Sequence, residues 1–313
     1  MTRARRRQRD WAASAASALL VDAIFGDEPL TPHPVALFGS LMERAESLMY
    51  ADSRLAGVPY AVAGAGAALA AGALLRRSRF GSVSGAYVTI AGRGLWDAAE
   101  SVADALRNED LDAARRLLPA LVGRDPEHLD EAEIVRAVVE SVAENTVDAI
   151  VAPALYGALA GPAGAAGYRG INTLDSLVGH RSPRYRNFGW ASARLDDVAN
   201  LVPARLTALL TAAVRPSSAR GIWRAVRRDA PQHPSPNAGV AEAAFAAALG
   251  VRLGGVNHYE GRRDNRPVLG SPDDRYPEVD DIDRAVRCSQ QVTVALGICL
   301  LLYAGAPRHR EER

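Results

Sequence analysis

The sequence predicts an all-α fold, a polytopic integral membrane bundle of helices, and three observations support this prediction. Apolar residues make up 48% of the 313 residues and aromatic residues only 6%, so alanine, a strong helix former, carries much of the apolar content. Apolar stretches of about twenty residues, the length that crosses a bilayer, alternate with stretches rich in arginine and aspartate. The mean hydropathy of −0.07 is low for a membrane protein, but it averages over these two kinds of stretch.

The N-terminal segment is predicted to form an anchoring or membrane-edge helix. Its arginines and short apolar run resemble a signal peptide, but Asp22 interrupts the run and a polar segment, residues 22–35, follows. Three prolines in that segment disfavour a helix and are expected to hold His33 in an extended loop.

Four further apolar segments follow along the chain. Helices of membrane length are predicted at residues 55–75 and 288–306, an apolar hairpin at 149–168, and another apolar helix at 201–215. The first segment carries small residues at every fourth position, Gly64, Ala68 and Gly72, which suits close helix packing in lipid. A buried helix in a soluble core is the alternative for this segment. The charge-free hairpin is about as long as a bilayer core is thick, so it is expected to hold the polar residues around it at a membrane edge.

Residues 94–140 differ from these apolar segments in character. They are patterned as amphipathic helices, with charged residues on one face and Leu, Val and Ile on the other. We expect a soluble-looking helical insert that faces the cytoplasm. The whole chain, residues 1–313, is predicted to form a single membrane domain around it.

Composition excludes several classes of protein. The chain contains no lysine, so all 37 basic residues are arginine. This rules out a Schiff-base lysine for pyridoxal phosphate and the lysine of a P-loop. A net charge of +1 and the lack of a basic stripe with interleaved aromatics argue against nucleic-acid binding. Cys288 and Cys299 would lie ~16 Å apart on one helix, too far for a disulfide, and no CxxC or HExxH motif suggests zinc.

Polar residues concentrate in three loops at the ends of apolar helices, residues 22–35, 172–197 and 229–242. Ahead of the second loop, three carboxylates recur at every fourth position and would stack on one face of a helix, Glu140, Glu144 and Asp148. Their mutual repulsion would need a cation or nearby arginines. A solvated polar face with incidental ion pairs is the alternative.

Four blocks of sequence resemble a known family. They are DAIFGDEPLTPHPVALFG, ESVAENTVDAIVAPALY, YRGINTLDSLVGHRSPRYRNFGWASARLDDVANLVPARLTALL and RRDAPQHPSPNAGVAEAAFAAALGVRLGG. These blocks are similar to the signature blocks of the adenosylcobinamide-phosphate synthase family, CobD/CbiB, and the resemblance extends from about residue 19 to residue 270. The first block departs from the family pattern, because Glu28 is inserted between Asp27 and Pro29.

The resemblance implies an activity in cobalamin biosynthesis, that of a carbon–nitrogen ligase. The family joins adenosylcobyric acid to (R)-1-aminopropan-2-ol or its O-2-phosphate through an amide bond, giving adenosylcobinamide or its phosphate, with ATP as co-substrate. We therefore expect Mg²⁺ and ATP, a corrinoid substrate, membrane lipid around a multi-pass protein in the cell membrane, and active-site loops in the cytoplasm. A homo-oligomer or a partner biosynthetic subunit is left open.

Candidate site residues follow from the chemistry that such a reaction needs. Carboxylates suit Mg²⁺, arginines suit phosphate oxygens, and asparagines suit a substrate amide or hydroxyl. The candidate catalytic residues are Glu144, Asn145, Asp148, Asp175 and Asp196. The candidate substrate and phosphate ligands are Arg181, Arg184, Arg186, Asn187, Arg194, Asn172, His33, His233 and Asn237. The candidate metal ligands are Glu140, Glu144, Asp148 and Asp197.

Two other classes of protein compete with a membrane ligase. A non-catalytic membrane transport or sensing subunit could use charges at the membrane edge to line a pathway. A soluble all-helical enzyme is the third interpretation, and extraction without detergent would support it.

Overall fold

The computed structural model describes residues 3–26, 32–76, 79–123, 125–180, 182–259 and 262–306, and it is helical almost throughout. The first helices are α1 Arg3–Phe25, α2 Pro34–Met49, α3 Arg54–Leu75, α4 Arg79–Tyr87, α5 Gly92–Arg107, α6 Leu111–Leu117, α7 Glu131–Asn145 and α8 Ala152–Ala160. The later ones are α9 Pro162–Val178, α10 Tyr185–Phe188, α11 Trp190–Ala199, α12 Leu201–Val214, α13 Ala219–Arg228, α14 Ala238–Leu249 and α15 Val279–Gly305. Two strands, β1 Leu253–Tyr259 and β2 Arg262–Leu269, pair antiparallel.

The chain divides into two compact units where the sequence predicted a single domain. The first unit comprises Met1–Ala91, Ile150–Ala199 and Leu296–Arg313. The second comprises Gly92–Ala149 and Asn200–Ala295. The amphipathic segment 94–140 therefore belongs to the second unit, where it packs together with later helices rather than forming an independent insert.

Two described helices, α3 and α15, are long and apolar enough to cross a membrane. Helices α11 and α12 qualify together as a third if they form one broken span. The membrane helices predicted at 55–75 and 288–306 are thus confirmed in length and composition, and the chain is an all-α membrane protein.

The segment 149–168 forms a hairpin, as predicted, but neither arm is a charge-free helix of membrane length. Gly161 takes a positive φ of 70°, which ends α8 after only nine residues, and Pro162 begins α9. A nine-residue helix is ~14 Å long, about half the thickness of a bilayer core. The hairpin is therefore confirmed, and its place at a membrane edge stays a prediction.

In the first unit, α3 packs closely against α9. The small residues at every fourth position allow this approach: a Cβ added to Gly72 would lie 2.3 Å from the carbonyl oxygen of Pro162, and Ala68 packs against Gly170. The predicted close packing is thereby confirmed. A core formed by Met42, Tyr60, Leu174, Val178 and Phe188 lies beside this contact.

In the second unit, α14 is the central helix, because nearly all of its residues are buried. It packs against α7, α12 and α13. Helix α7 begins with a capping box in which Asp130 and Glu133 each accept a hydrogen bond from the other's backbone N–H. Trp96 and Thr146 both bond to the Ser289 hydroxyl, tying α5 and the end of α7 to α15.

Candidate functional site

The acidic helix α7 ends in a π-helix, Thr146–Val151, which carries Asp148. The α-helical stripe predicted for the three carboxylates therefore includes Glu140 and Glu144 and is interrupted before Asp148, because a π-helix closes i→i+5 hydrogen bonds. Glu144 is exposed and Asp148 is half-buried. Asn145, between them, donates its side-chain N–H to the Ser141 carbonyl at 3.0 Å. Turns of π-helix are frequent at functional sites, so the local geometry is consistent with a role for Asp148.

Glu140 has a different environment from its two neighbours on the stripe. Its side chain is buried, and its Oε1 accepts the backbone N–H of Gly254 at 2.6 Å. The guanidinium Nε of Arg136 lies 4.0 Å from the same oxygen. Gly254 has a φ of 79°, which glycine adopts readily, and lies at a β-bulge at the start of β1, so Glu140 holds this bulge in place. This geometry gives Glu140 a structural role and makes it the least suitable of the proposed metal ligands.

A buried polar cluster in the second unit surrounds His233. The His233 Nε2 lies 3.6 Å from the Glu242 carboxylate, and both side chains are almost fully buried, at 2% and 3% exposure. Arg266 Nη1 lies 3.4 Å from the same ring nitrogen, and the His233 Nδ1 accepts the Ser235 N–H at 3.1 Å. The sequence-based site omitted Glu242 and Arg266. A signal for Glu242 existed, because it is the lone charge in the small-residue helix α14.

Asn237, four residues beyond His233, is also buried. Its Oδ1 accepts a hydrogen bond from Arg205 Nη1 at 2.7 Å. Arg205 is the one charge in the apolar helix α12, so this bond explains why that helix tolerates it.

In the first unit, the structure brings two predicted residues together at the middle of α9. Asn172 Nδ2 donates to Asp196 Oδ1 at 3.5 Å, and Arg169 Nη1 donates to Asn172 Oδ1 at 3.3 Å. The Arg169 Nε is buried and has no hydrogen-bond partner among the described residues. Sequence reasoning missed Arg169. A buried guanidinium N–H without an acceptor is costly, so this cluster is suited to receive an acceptor from a bound anion.

Tyr156 borders this cluster. Burial, and then the nearby Asp196 carboxylate, raise the pKa of Tyr156, so its hydroxyl stays protonated. The hydroxyl donates to the carbonyl oxygen of Ala199 at 2.9 Å, and the ring stacks on Tyr168 with centroids 5.4 Å apart. These contacts fix the end of α11 near Asp196.

Most described arginines of the predicted phosphate clamp have protein partners. Arg184 donates to Glu46 at 2.8 Å and stacks over Tyr50, 4.1 Å from the ring centroid. The hydrogen bond from Arg184 to Glu46 raises the pKa of the guanidinium further. Arg194 pairs with Asp197 at 3.0 Å. Arg186 is exposed, and within the described part of the chain it forms no salt bridge.

The other predicted residues have local environments of their own. Asn187 donates to Asp52 at 2.9 Å. Asp175 is half-buried, and its carbonyl oxygen accepts the Gly179 N–H at 2.6 Å. His33 is extended, as predicted, but it caps α2: its Nδ1 accepts the Val35 N–H at 3.3 Å. Arg181, and the Asp27 to Pro29 segment with the inserted Glu28, lie outside the described residues.

The described residues contain no group of three or more His, Cys, Asp or Glu side chains arranged to hold a metal ion. Mg²⁺ in nucleotide sites commonly takes one or two protein carboxylates together with substrate phosphates and water. The exposed Glu144 and half-buried Asp148 fit that mode, whereas Glu140 does not.

The fold and these clusters define a helical membrane protein in which buried arginines, carboxylates and asparagines form paired networks. Comparison with known proteins narrows this class. The family model described as CobD/Cbib protein matches residues 15–289, so the chain belongs to the CobD/CbiB family of cobalamin biosynthesis proteins.

Curated relatives support the same assignment. Cobalamin biosynthesis protein CobD of Mycobacterium tuberculosis (strain ATCC 25618 / H37Rv) is 46% identical over 311 residues, which cover 95% of this chain and 98% of the relative. CobD of Geobacter metallireducens is 44% identical, covering 82% of this chain and 85% of the relative. Cobalamin biosynthesis protein CbiB of Salmonella typhimurium is 41% identical, covering 92% and 95%. No solved structure matches the chain.

Proposed function

We propose that this protein is an ATP-dependent amide synthase that joins adenosylcobyric acid to (R)-1-aminopropan-2-ol or its O-2-phosphate. Membership of the CobD/CbiB family supports the pathway. One structural observation supports the chemistry: the Arg169–Asn172–Asp196 cluster, where a buried guanidinium N–H lacks an acceptor among the described residues. Such a cluster fits an anionic reactant, and every substrate phosphate or carboxylate of this reaction is anionic.

The proposed reaction replaces a carboxylate oxygen by an amine nitrogen. The carboxylate attacks the γ-phosphorus of ATP, and ADP leaves. The amine then attacks the acyl carbon, the bond from that carbon to the phosphate oxygen breaks, phosphate leaves, and the amine loses a proton to a base. Charge on the phosphoryl oxygens is the main obstacle, and fixed guanidinium groups stabilise it. Arg169 and the exposed Arg186 are the arginines of the first unit that we assign to this task.

Mg²⁺ enters the proposal together with the ATP substrate. Glu144 of α7 and Asp148 of the π-helix are the candidate carboxylates for this ion within the second unit, because the first is exposed and the second half-buried.

The test is product formation by membranes that contain the full-length protein. We supply adenosylcobyric acid, aminopropanol phosphate, Mg²⁺ and ATP, and we look for the cobinamide phosphate by mass. We expect Arg169→Gln to lower kcat by about a hundredfold, as removal of one fixed transition-state donor does elsewhere. Asp196→Asn alters the acceptor that positions Asn172 and should also lower kcat. The matched control is Asp97→Asn, which breaks an exposed ion pair with Arg93 on α5 and should leave the rate unchanged.

Two results would count against the proposal. Wild-type membranes that bind the corrinoid but form no amide would favour a transport or sensing subunit. Full activity in a correctly folded Asp196→Asn variant would remove the assigned cluster from the reaction.

A further inference from the structure

A basic face on α13 has no role in the reaction proposed above. Four exposed side chains lie on one face of this helix, because each is three or four residues from another member of the set: Arg220, Trp223, Arg224 and Arg227. We refer to these four side chains as the basic face. Ile222 and Ala225, on the other side of the helix, are buried against the second unit. The helix is therefore amphipathic in an unusual way, because its outer surface is cationic and aromatic without any acidic residue.

The charges of the basic face are not neutralised by ion pairs with the described residues. Within the described part of the chain, none of its three arginines forms a salt bridge, whereas the neighbouring Arg228 pairs with Asp229. Arg227 instead stacks over the Trp223 ring, 5.3 Å from its centroid. All four side chains border one shallow depression that is open to solvent. The charge around this depression is that of an anion site.

The position of α13 along the chain indicates which kind of anion binds the basic face. It follows α12, an apolar helix that is one half of the broken candidate span. Two large apolar side chains of α12 are exposed, Val202 at 67% and Leu209 at 53%, as expected of a surface that contacts lipid. The chain then leaves α12 through Arg215 and a short 3₁₀ turn, Pro216–Ser218, before α13 begins. Arginine and tryptophan at the end of a membrane helix mark the boundary between lipid and water.

We propose that the basic face binds the phosphate headgroup of an anionic phospholipid. Guanidinium groups bind phosphate oxygens bidentately, and the amphipathic indole of Trp223 suits the headgroup level of a bilayer. Basic residues close to a membrane helix are attracted to the negative charge of anionic lipid headgroups. The inference is independent of the proposed ligase activity.

The experiment measures lipid binding by the full-length protein purified in detergent. We titrate it with phosphatidylglycerol or with phosphatidylcholine of the same chain length, and native mass spectrometry gives the affinity of the tightest site. We expect phosphatidylglycerol to bind at least about tenfold more tightly, because the headgroup charge is the difference between the two. The variant Arg220→Gln/Arg224→Gln should lower the phosphatidylglycerol affinity by about thirtyfold, given about 1 kcal/mol for each basic residue.

Two control variants separate this site from general charge effects. Arg93→Gln/Arg116→Gln removes the same charge from exposed positions on α5 and α6, and it should leave lipid affinity unchanged. Arg220→Lys/Arg224→Lys keeps the charge and should retain most of the preference.

Three results would overturn the proposal. They are equal affinity for the two lipids, an unchanged affinity in the Gln variant, and displacement of phosphatidylglycerol by a small excess of inorganic phosphate. The last result would assign the face to a soluble phosphate compound instead.

Discussion

At Glu140, a buried carboxylate satisfies a backbone N–H on a segment 114 residues away in sequence. The residue type was predictable from the acidic pattern of α7, but its role was not, because the partner Gly254 is set by tertiary packing. The same holds for Arg184, whose partner Glu46 is 138 residues distant. At this scale the sequence indicates which residues carry charge. The structure shows that some of these charged side chains, such as Glu140 and Arg184, form hydrogen bonds that stabilise the fold.

Substitution of Glu140 should therefore affect stability. We expect Glu140→Leu to lower the free energy of unfolding by about 1–3 kcal/mol, because the buried Gly254 N–H loses its acceptor. Glu140→Gln keeps a carbonyl oxygen at that position and should lose less. Thermal unfolding of the detergent-solubilised protein, followed by circular dichroism, measures both changes.

The control for this prediction is the next residue on the same helical stripe. Glu144 is exposed, so Glu144→Gln should unfold at the wild-type temperature. Equal losses at the two positions would mean that Glu140 does not hold the hairpin.

At the scale of elements, composition and spacing predicted the apolar helices well. The charge-free run of α3 and its small-residue pattern matched a helix with close packing, since both depend on local sequence. The break of the hairpin 149–168 is also encoded locally, by Gly161 and Pro162. The strands β1 and β2 are polar and lack a clear alternation of apolar residues, so local sequence does not indicate them.

The packing of α3 permits a sharp test with two glycines of one helix. A Cβ added at Gly57 would lie 1.8 Å from the carbonyl oxygen of Phe188, whereas one added at Gly66 would meet nothing within 4 Å. We expect Gly57→Ala to destabilise the protein by at least about 1–3 kcal/mol, because the backbone of α10 must move. Gly66→Ala should be neutral or stabilising, because alanine favours helix.

Thermal unfolding of the two variants in the same detergent is the measurement. The comparison is matched, since each variant adds one methyl group to one helix. Equal unfolding temperatures would contradict the close approach of α3 and α10.

At the scale of the whole molecule, the all-α membrane class was predictable, because it depends on the alanine content and on the length of the apolar stretches. Both are properties of the sequence alone. The division into two units was not predictable, because each unit is assembled from segments far apart in the chain. Of the candidate site, the pairing of Asn172 with Asp196 lies within one short polar segment and was within reach of sequence reasoning. Arg169 became visible only through its unsatisfied buried Nε.

The orientation of the molecule in the membrane depends on which end of α3 faces the cytoplasm. Asn187 bonds to Asp52, so α10 lies at the start of α3, and Arg76 follows the other end of the helix. Arginines are present at both ends, so the positive-inside rule does not choose between them. The reaction proposed above would use ATP and a corrinoid from the cytoplasm, so we expect the α10 end to face the cytoplasm.

Single cysteines at exposed positions test this orientation, in a background where Cys288 and Cys299 are replaced by alanine. A membrane-impermeant maleimide should label Arg186→Cys in inside-out vesicles and Arg76→Cys in right-side-out vesicles. Labelling of positions 186 and 76 from the same side would show that α3 does not cross the membrane. Labelling of position 186 in right-side-out vesicles alone would contradict the proposed ligase, because Arg186 would then face away from the cytoplasm.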